Sequence, residues 1–190
     1  VASRMMKLSL EQTRHAMGIA EYHGPRSQMM RCIDHPTMLK DGSGWGALCG
    51  VSAARMAKAG FTGAPALTLQ TKHWHDLGEN WLITKQYFKP YPVCRWAQAP
   101  IAAVLDLRET YDFSSTDVAS VHITSFYEAV RLGQKKVTNT EEAQYSTSFP
   151  CAIALVHGDI LPEHIADDAL KDPEIQLSLI HISEPTRQAS

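Results

Sequence analysis

The chain contains few cysteines, and none of them is close to another. Cys32, Cys49, Cys94 and Cys151 are widely separated, and no Cys-x-x-Cys pair occurs. Zinc knuckles and compact disulfide scaffolds need closely spaced cysteines, so neither is expected. The bunched ligand spacing of an iron–sulfur dehydratase is missing as well. Reduced thiols in a cytosol are the simplest interpretation, and the predicted compartment is cytoplasmic.

An excess of either charge is also lacking. The 18 Lys and Arg residues nearly balance the 20 Asp and Glu residues, for a net charge of -2. Nucleic acids and anionic membranes attract basic surfaces, so neither is predicted as a partner. No apolar run reaches the ~18 to 20 residues that span a bilayer. The hydrophobic fraction of 44% is that of an ordinary soluble protein.

Histidine clusters are scarce too. His73 and His75 form a single His-x-His pair before Asp76. One such pair without further ligands is a weak zinc signal, so the sequence predicts no metal site.

What the chain does have is a lysine between aromatic residues and prolines. Lys89 lies in the run from Lys85 to Trp96, just before Pro90 and Pro92. Both prolines fix φ and exclude helix, so the run predicts an extended, stiff arm that holds Lys89 in place. Such an arm can present a cation to a ligand.

A glycine-rich run lies upstream, between Lys40 and Gly50. Gly42 and Gly44 come immediately before a predicted helix, where unpaired N–H groups can face an anion. Gly46, Gly50 and Ala54 recur every four residues and predict a stripe for close helix packing. Together the lysine arm and the glycine run suggest a site for small carboxylates.

Local signals predict helices in the first half of the chain. Ser9 and Gln12 fit a capping box, and the helix that they begin is expected to end at Gly24. A second helix is expected to begin within 43–45 and to stop at Gly60.

The second half is predicted to mix helices with a strand. We expect a helix from about 98 to 111, a strand over 118–126 and a short helix over 126–132. A further helix over 143–157 should kink or break at Pro150 and end at Gly158. The predicted fold class is therefore mainly α plus α+β, with an all-helical piece over 1–84 and an α+β piece over 85–176.

Five motifs carry a family resemblance in a fixed order: Gly24–Pro25, Lys40–Ala47, Gly60–Pro65, Tyr87–Pro92 and Ala143–Ser146. Over about residues 5 to 176 this order resembles the 2-methylcitrate dehydratase and cis-aconitate decarboxylase family, also called MmgE/PrpD. The resemblance implies the C-terminal part of a helical-bundle domain followed by a smaller α+β domain. It also implies a homodimeric parent that acts on a small polycarboxylate without metal or cofactor.

The implied chemistry starts with removal of a proton next to a carboxylate. Such a reaction needs a base, clustered cations for the developing charge and an acid for the leaving hydroxide. By resemblance, Lys89, Tyr145 and His23 are the catalytic candidates. The candidates for substrate binding are Lys40, Gly42, Ser43, Gly44, Arg31 and Arg95, with Arg26 as a further guanidinium that could clamp a carboxylate.

Two departures from the family pattern leave alternatives open. Many members have a histidine where this chain has Gln98, and the segment expected to supply the general base lies upstream of Val1. The chain is therefore expected to be an inactive internal fragment of a dehydratase-like lyase. A decarboxylase, an isomerase or epimerase, and a non-catalytic protein that binds a small acid are the alternatives.

The last residues of the chain have a sequence that indicates a different origin from the rest. Leu177–Arg187 resembles the translation of a transposase adaptor used in sequencing libraries. Residues 177–190 are therefore expected to be a non-native tail that packs against nothing in the fold.

Overall fold

The computed structural model describes residues 1–40, 42–133, 136–180 and 182–183. The α-helices of this part of the chain are α1 (Ala2–Met5), α2 (Leu10–His23), α3 (Met30–Asp34), α4 (Ser43–Lys58), α5 (Gln98–Tyr111), α6 (Tyr127–Val130), α7 (Thr140–Tyr145), α8 (Ser148–His157) and α9 (Pro173–Ile180). Its strands are β1 (Val121–His122) and β2 (Ile182–Ser183). Short 3-10 turns connect several of these elements. The mainly helical prediction is confirmed.

The predicted helix ends of α2 are confirmed by its caps. The Gln12 N–H donates to Ser9 Oγ at 3.1 Å, and the Ser9 N–H donates to Gln12 Oε1 at 3.0 Å. These two bonds form the expected capping box. Gly24 caps the other end, directly after His23.

The bounds of α4 and α5 also agree with the sequence. α4 begins at Ser43 and its last residue is Lys58, two residues before Gly60, which has a φ of 91°. That left-handed backbone suits glycine and stops the helix. α5 has the predicted span, and Asp112 ends it in the left-handed region with a φ of 48°.

The predicted strand is much shorter than expected. Of residues 118–126, only Val121 and His122 are strand, and they pair in parallel with Ile182 and Ser183. The described part of β2 is also two residues long. The expected α+β domain therefore carries only this small sheet within the described residues.

The break in the last predicted helix lies before Pro150 rather than at it. α7 ends at Tyr145, and Ser146 Oγ accepts the N–H of Phe149 at 3.0 Å as α8 begins. Pro150 lies in the first turn of α8, where a missing N–H leaves no helical bond unmade. Gly158 closes α8 with a φ of 71°.

The described chain forms two compact units. The first unit is Val1–Arg31 with Lys40–Tyr87, and the second is Cys32–Leu39 with the chain from Phe88 onward. The expected division at residue 85 did not foresee that 32–39 would belong with the later residues. Within the second unit, Arg131 forms an ion pair with Asp34 and lies 5.7 Å from the Tyr127 ring centre.

Each unit has its own core. The first unit packs α2 against α4 through Ala16, Ile19, Ala53, Ala54 and Ala57. The second unit packs α5, α8 and α9 around larger side chains: Ile101, Phe149, Ile153, Leu155 and Ile175. No helix among the described residues combines the length and apolar character that a membrane crossing requires.

Close packing against glycine occurs at positions other than the predicted stripe. A Cβ built at Gly46 or Gly50 would meet nothing within 4 Å. At Gly18 it would lie 1.6 Å from the Ala64 carbonyl oxygen, and at Gly63 it would lie 2.6 Å from that of His15. The segment at 63–64 therefore crosses α2 at Gly18, and the prediction of close packing at Gly46 and Gly50 is wrong.

The expectation that residues 177–190 contact nothing is also wrong for its described part. Ser178 is buried, and Leu179 and Ile182 pack against the core of the second unit. The β1–β2 bonds add a backbone connection. The expected tail residues 181 and 184–190 lie outside the described residues.

Candidate functional site

The lysine arm is non-helical and bends back on itself. Residues 86–94 form no helix, and the Val93 N–H donates to the Tyr91 carbonyl at 2.9 Å across Pro92. Proline at the centre of this tight turn suits its fixed φ. The Lys89 side chain is exposed but its Nζ donates to the Val93 carbonyl at 2.9 Å. The arm is therefore a closed turn, with Lys89 tied to its far side.

Gln98 secures this turn from within the protein. It is 6% exposed and is the first residue of α5. Its Nε2 donates to the carbonyls of Tyr91 at 3.0 Å, Val93 at 3.2 Å and Cys94 at 3.4 Å. Its Oε1 accepts the Tyr91 N–H at 3.2 Å. Sequence reasoning treated Gln98 only as a lost histidine and missed this role, for which spacing gives no signal.

A backbone hydrogen bond joins the turn to the end of α7. The Cys94 N–H donates to the Gln144 carbonyl at 2.7 Å. Gln144 directly precedes Tyr145, the last residue of α7, whose side chain is half-buried. At its start, α7 is fixed by the Glu142 N–H, which donates to Asn139 Oδ1 at 2.9 Å. The structure thus gives the segments that carry Lys89 and Tyr145 a shared backbone connection.

Arg95 lies at an apolar groove of about 780 Å³. Its walls come from α5 and the segment at 121–126, and the Trp96 and Phe126 rings meet edge to face at 5.2 Å. Arg95 itself is exposed. Apart from Arg95 and His122, the groove offers few groups that could bind a polycarboxylate.

A second cavity of about 640 Å³ is polar but acidic. Arg108 lines it together with Glu109, Asp112 and Asp117, and none of the predicted site residues does. Arg108 donates to the carbonyls of Ala154 and Leu155 at 3.2 and 2.7 Å, so this guanidinium caps the end of α8. The carboxylates would repel a polycarboxylate.

Asp117 in this cavity is held in its charged form. Its Oδ2 accepts from Ser114 Oγ at 2.6 Å and from the Ser114 N–H at 2.9 Å. Both bonds lower the pKa of Asp117 below its ordinary value of 3.8, and the bond from the Ser114 side chain has the larger effect. These bonds form a cap on the 3-10 turn at Ser115–Asp117 and indicate a structural role.

The other predicted site residues lie in the first unit or at its edge, and all are exposed. These are His23, Arg31, Lys40, Gly42, Ser43 and Gly44. His23 is the last residue of α2, and Arg26 donates to the carbonyls of Glu21 and Tyr22 at 3.2 and 2.8 Å. Arg26 therefore caps α2.

Two first-unit motifs do meet. A Cβ built at Gly42 would lie 3.8 Å from Pro25 Cβ, so the turn after α2 adjoins the start of α4. The Gly46 N–H donates to the Gly42 carbonyl at 2.7 Å as the first bond of α4. The N–H groups that precede it have no carbonyl of the same helix to bond. Asp41, within the same predicted motif, lies outside the described residues.

No group of three or more His, Cys, Asp and Glu side chains in the described ranges is arranged to hold a metal ion. His73 lies in the exposed 3-10 turn at Lys72–Trp74, and His75 follows it.

Comparison with known proteins identifies the class. A family model described as the MmgE/PrpD C-terminal domain matches residues 91–183, which include Tyr91–Cys94 of the turn, α5 and the core of the second unit, and begin two residues after Lys89. Residues 91–183 therefore belong to the MmgE/PrpD family, in agreement with the resemblance of the motifs. The match continues past residue 176 to the end of β2.

One relative is a named enzyme. The mitochondrial 2-methylcitrate dehydratase of Yarrowia lipolytica (strain CLIB 122 / E 150) is 27% identical over an alignment of 198 positions. The alignment covers 92% of this chain, which spans 38% of the length of that relative.

Proposed function

We propose that the whole protein is a lyase that removes water from a small polycarboxylate such as 2-methylcitrate. The proposal is supported by the family of the second unit and by the dehydratase named above. The observation that carries it is the backbone bond from the Lys89 turn to Gln144, the residue before Tyr145, because a charge-neutralising cation and an acid are the groups that such an elimination needs.

In the proposed mechanism, Lys89 neutralises a substrate carboxylate while a base removes the adjacent proton. An ammonium group has three N–H donors, and the bond to Val93 uses one of them. Negative charge builds up on the carboxylate as the proton leaves, so a fixed cation lowers the barrier. Tyr145 then donates a proton to the departing hydroxide.

The remaining site residues stay predictions. We assign carboxylate contacts to Arg95 in the second unit and to Arg31 and Lys40. We assign an acid–base role to His23, and anion contacts to the backbone at 42–44.

Two related reactions pass through a similar carbanion next to a carboxylate. Epimerisation removes the same proton and returns it to the opposite face, whereas decarboxylation forms the carbanion by losing CO₂ and then takes up a proton. Purified whole protein given 2-methylcitrate should form the unsaturated acid, seen as rising ultraviolet absorbance, with no CO₂ released and no stereoisomer accumulated. If CO₂ or a stereoisomer accumulated without the unsaturated acid, the protein would be a decarboxylase or an epimerase and not a dehydratase.

A binding function is the candidate from another class. Gln98 favours it, because an amide does not exchange protons near neutral pH as a histidine does. Calorimetric binding of a tricarboxylate without any turnover would support it.

The test of the dehydratase function is Lys89→Ala in the whole protein. We expect turnover to fall at least a hundredfold, in line with losing roughly 3 kcal/mol of electrostatic stabilisation. Lys89→Arg should restore little, because a planar guanidinium does not reproduce a point charge. Lys85→Ala is the matched control, since Lys85 is exposed in the preceding 3-10 turn. Turnover near the starting value in Lys89→Ala would remove Lys89 from the mechanism.

The same protein serves to test the remaining expectations. We propose a cytoplasmic homodimer that needs neither metal nor cofactor. Sedimentation should give twice the chain mass, and dialysis against a chelator should leave turnover unchanged. Loss of activity that only added metal restores would contradict the second expectation.

A further inference from the structure

The Gln98 side chain forms hydrogen bonds with several backbone groups of the turn from Tyr91 to Cys94. A carboxamide has two N–H donors and one oxygen acceptor. Its oxygen accepts the Tyr91 N–H at 3.2 Å, and its nitrogen donates to the Tyr91 carbonyl at 3.0 Å. The amide therefore pairs with Tyr91 as a neighbouring peptide would in a sheet. Its nitrogen also lies 3.2 and 3.4 Å from the carbonyls of Val93 and Cys94.

The orientation of this amide follows from its partners. Reversing it would bring the NH₂ group against the Tyr91 N–H and the oxygen against three carbonyls. Every contact would then be repulsive, so the network itself fixes the assignment. Burial strengthens the constraint, because a buried polar group without a partner is costly.

The Val93 carbonyl links this network to the lysine. It accepts both from Gln98 Nε2 at 3.2 Å and from Lys89 Nζ at 2.9 Å. A lysine stem has many rotamers, so an ammonium that must meet a carboxylate needs a fixed anchor. Here the anchor is a carbonyl that Gln98 holds, and Gln98 is itself part of α5.

We propose that Gln98 is a positioning residue for Lys89. It holds the turn from Tyr91 to Cys94, so that the Val93 carbonyl fixes the ammonium and the Cys94 N–H keeps its bond to the Gln144 carbonyl. The catalytic consequence rests on the proposed lyase function, whereas the positioning of the turn does not.

The same geometry shows why a histidine at position 98 would bond the turn less fully. A neutral imidazole has one donor and one acceptor. It could pair with the Tyr91 N–H and with one carbonyl, leaving the other carbonyls without this partner. Glutamine cannot transfer a proton as histidine can, but it forms more hydrogen bonds to the turn.

The first arm of the test is Gln98→Ala, followed by amide hydrogen exchange with residue resolution. We expect the Tyr91 amide to exchange at least tenfold faster and the Cys94 amide to lose protection with it, while amides in α8 stay unchanged. Gln176→Ala is the matched control, because Gln176 also donates from its amide to a backbone carbonyl, that of Leu170 at 2.8 Å. Unchanged exchange at Tyr91 and Cys94 in Gln98→Ala overturns the proposal.

The second arm is Gln98→Glu, which serves even where the alanine variant does not fold. The introduced carboxylate can accept from Tyr91 but repels the carbonyls, and its protonated form regains a donor. We expect Tyr91 protection to be reduced at neutral pH and restored in acid, relative to the parent at each pH. Protection that does not depend on pH in this way contradicts the assigned network.

The third arm measures turnover in the whole protein. Gln98→Glu should lower kcat about tenfold or more, with recovery towards acid pH relative to the parent, when assayed at a temperature well below the melting temperature of the variant. Normal kcat in Gln98→Glu, together with a large loss in Lys89→Ala, overturns positioning and leaves the proposed function intact. No loss in Lys89→Ala is the distinct result that removes the proposed function.

Discussion

The first unit fills its core mostly with alanine, whereas the second unit fills its core with isoleucine, leucine and phenylalanine. In the first unit, Ile19 is the one large fully buried side chain beside Ala16, Ala53, Ala54 and Ala57 among the described residues. In the second unit, Ile101, Phe149, Ile153 and Ile175 are each at most 1% exposed.

This difference matters energetically. A fully buried large side chain contributes about 1.5–3 kcal/mol, whereas each methyl-sized group contributes about 0.8 kcal/mol. The first unit also leaves many large apolar side chains exposed: Trp45, Leu48, Val51, Phe61, Leu67, Trp74, Leu77, Trp81, Leu82 and Ile83. The comparison teaches that the second unit carries its own stabilising core, while the first unit places much of its apolar surface in solvent.

The largest expected effect comes from producing the units separately. Residues 88–183 should unfold cooperatively with urea, because their core is nearly complete without 32–39. The lost Asp34–Arg131 pair is about one-third exposed and is worth about 1 kcal/mol or less. Residues 1–87 should show a broad transition and bind a hydrophobic dye. A sharp transition and no dye binding for residues 1–87 would contradict the proposed difference in stability between the two units.

The next effect separates two glycines of the first unit. Gly18→Ala should destabilise the complete chain by about 1–3 kcal/mol, because its Cβ would overlap the Ala64 carbonyl. Gly50→Ala should stabilise α4 by about 0.5–1 kcal/mol, because its Cβ meets open space in a helix. Urea midpoints followed by far-ultraviolet circular dichroism measure both. Equal shifts in the same direction would contradict the assigned crossing at Gly18.

A smaller effect tests how the end of the chain packs on the second unit. Leu179→Ala should cost about 1–2 kcal/mol, because Leu179 is half-buried against the core. Leu177→Ala should change stability by less than about 0.5 kcal/mol, because Leu177 is 60% exposed. Indistinguishable urea midpoints for the two variants would support the first expectation, in which residues 177–183 are part of a non-native tail without stabilising contacts.

The smallest effect concerns Asp117. Its pKa is lowered in the folded state, so its contribution to stability is present above the ordinary value of 3.8 and is lost as the pH falls through the folded pKa. Asp117→Asn should therefore be slightly less stable than the parent near neutral pH, and the two should converge in acid. Urea midpoints at several pH values measure this. A gap that widens as the pH falls would reverse the assigned sign.

The helix ends that the sequence predicted correctly depend on contacts between residues close together in the chain. Ser9, Gln12 and Gly24 define α2 through bonds within a few residues, and such bonds are visible in sequence. The break between α7 and α8 was misplaced because proline in a first helical turn is harmless, and the Ser146 cap was the stronger local signal.

Long-range geometry decided what the sequence could not show. The length of β1 depends on β2, which comes about sixty residues later in the chain. Whether a glycine is crowded depends on what crosses it, so Gly18 and Gly50 look alike in sequence but differ in space. In the candidate site, Lys89 could be singled out from its prolines, whereas the role of Gln98 needed the folded turn.

The place of residues 32–39 in the second unit has a consequence for synthesis on the ribosome. Asp34 leaves the exit tunnel 97 residues before its partner Arg131. At about 5–20 residues per second, α3 must wait roughly 5–20 s before that partner exists. During that interval α2 and α4 can already pack together, so the first unit can form while residues 32–39 still lack the rest of the second unit.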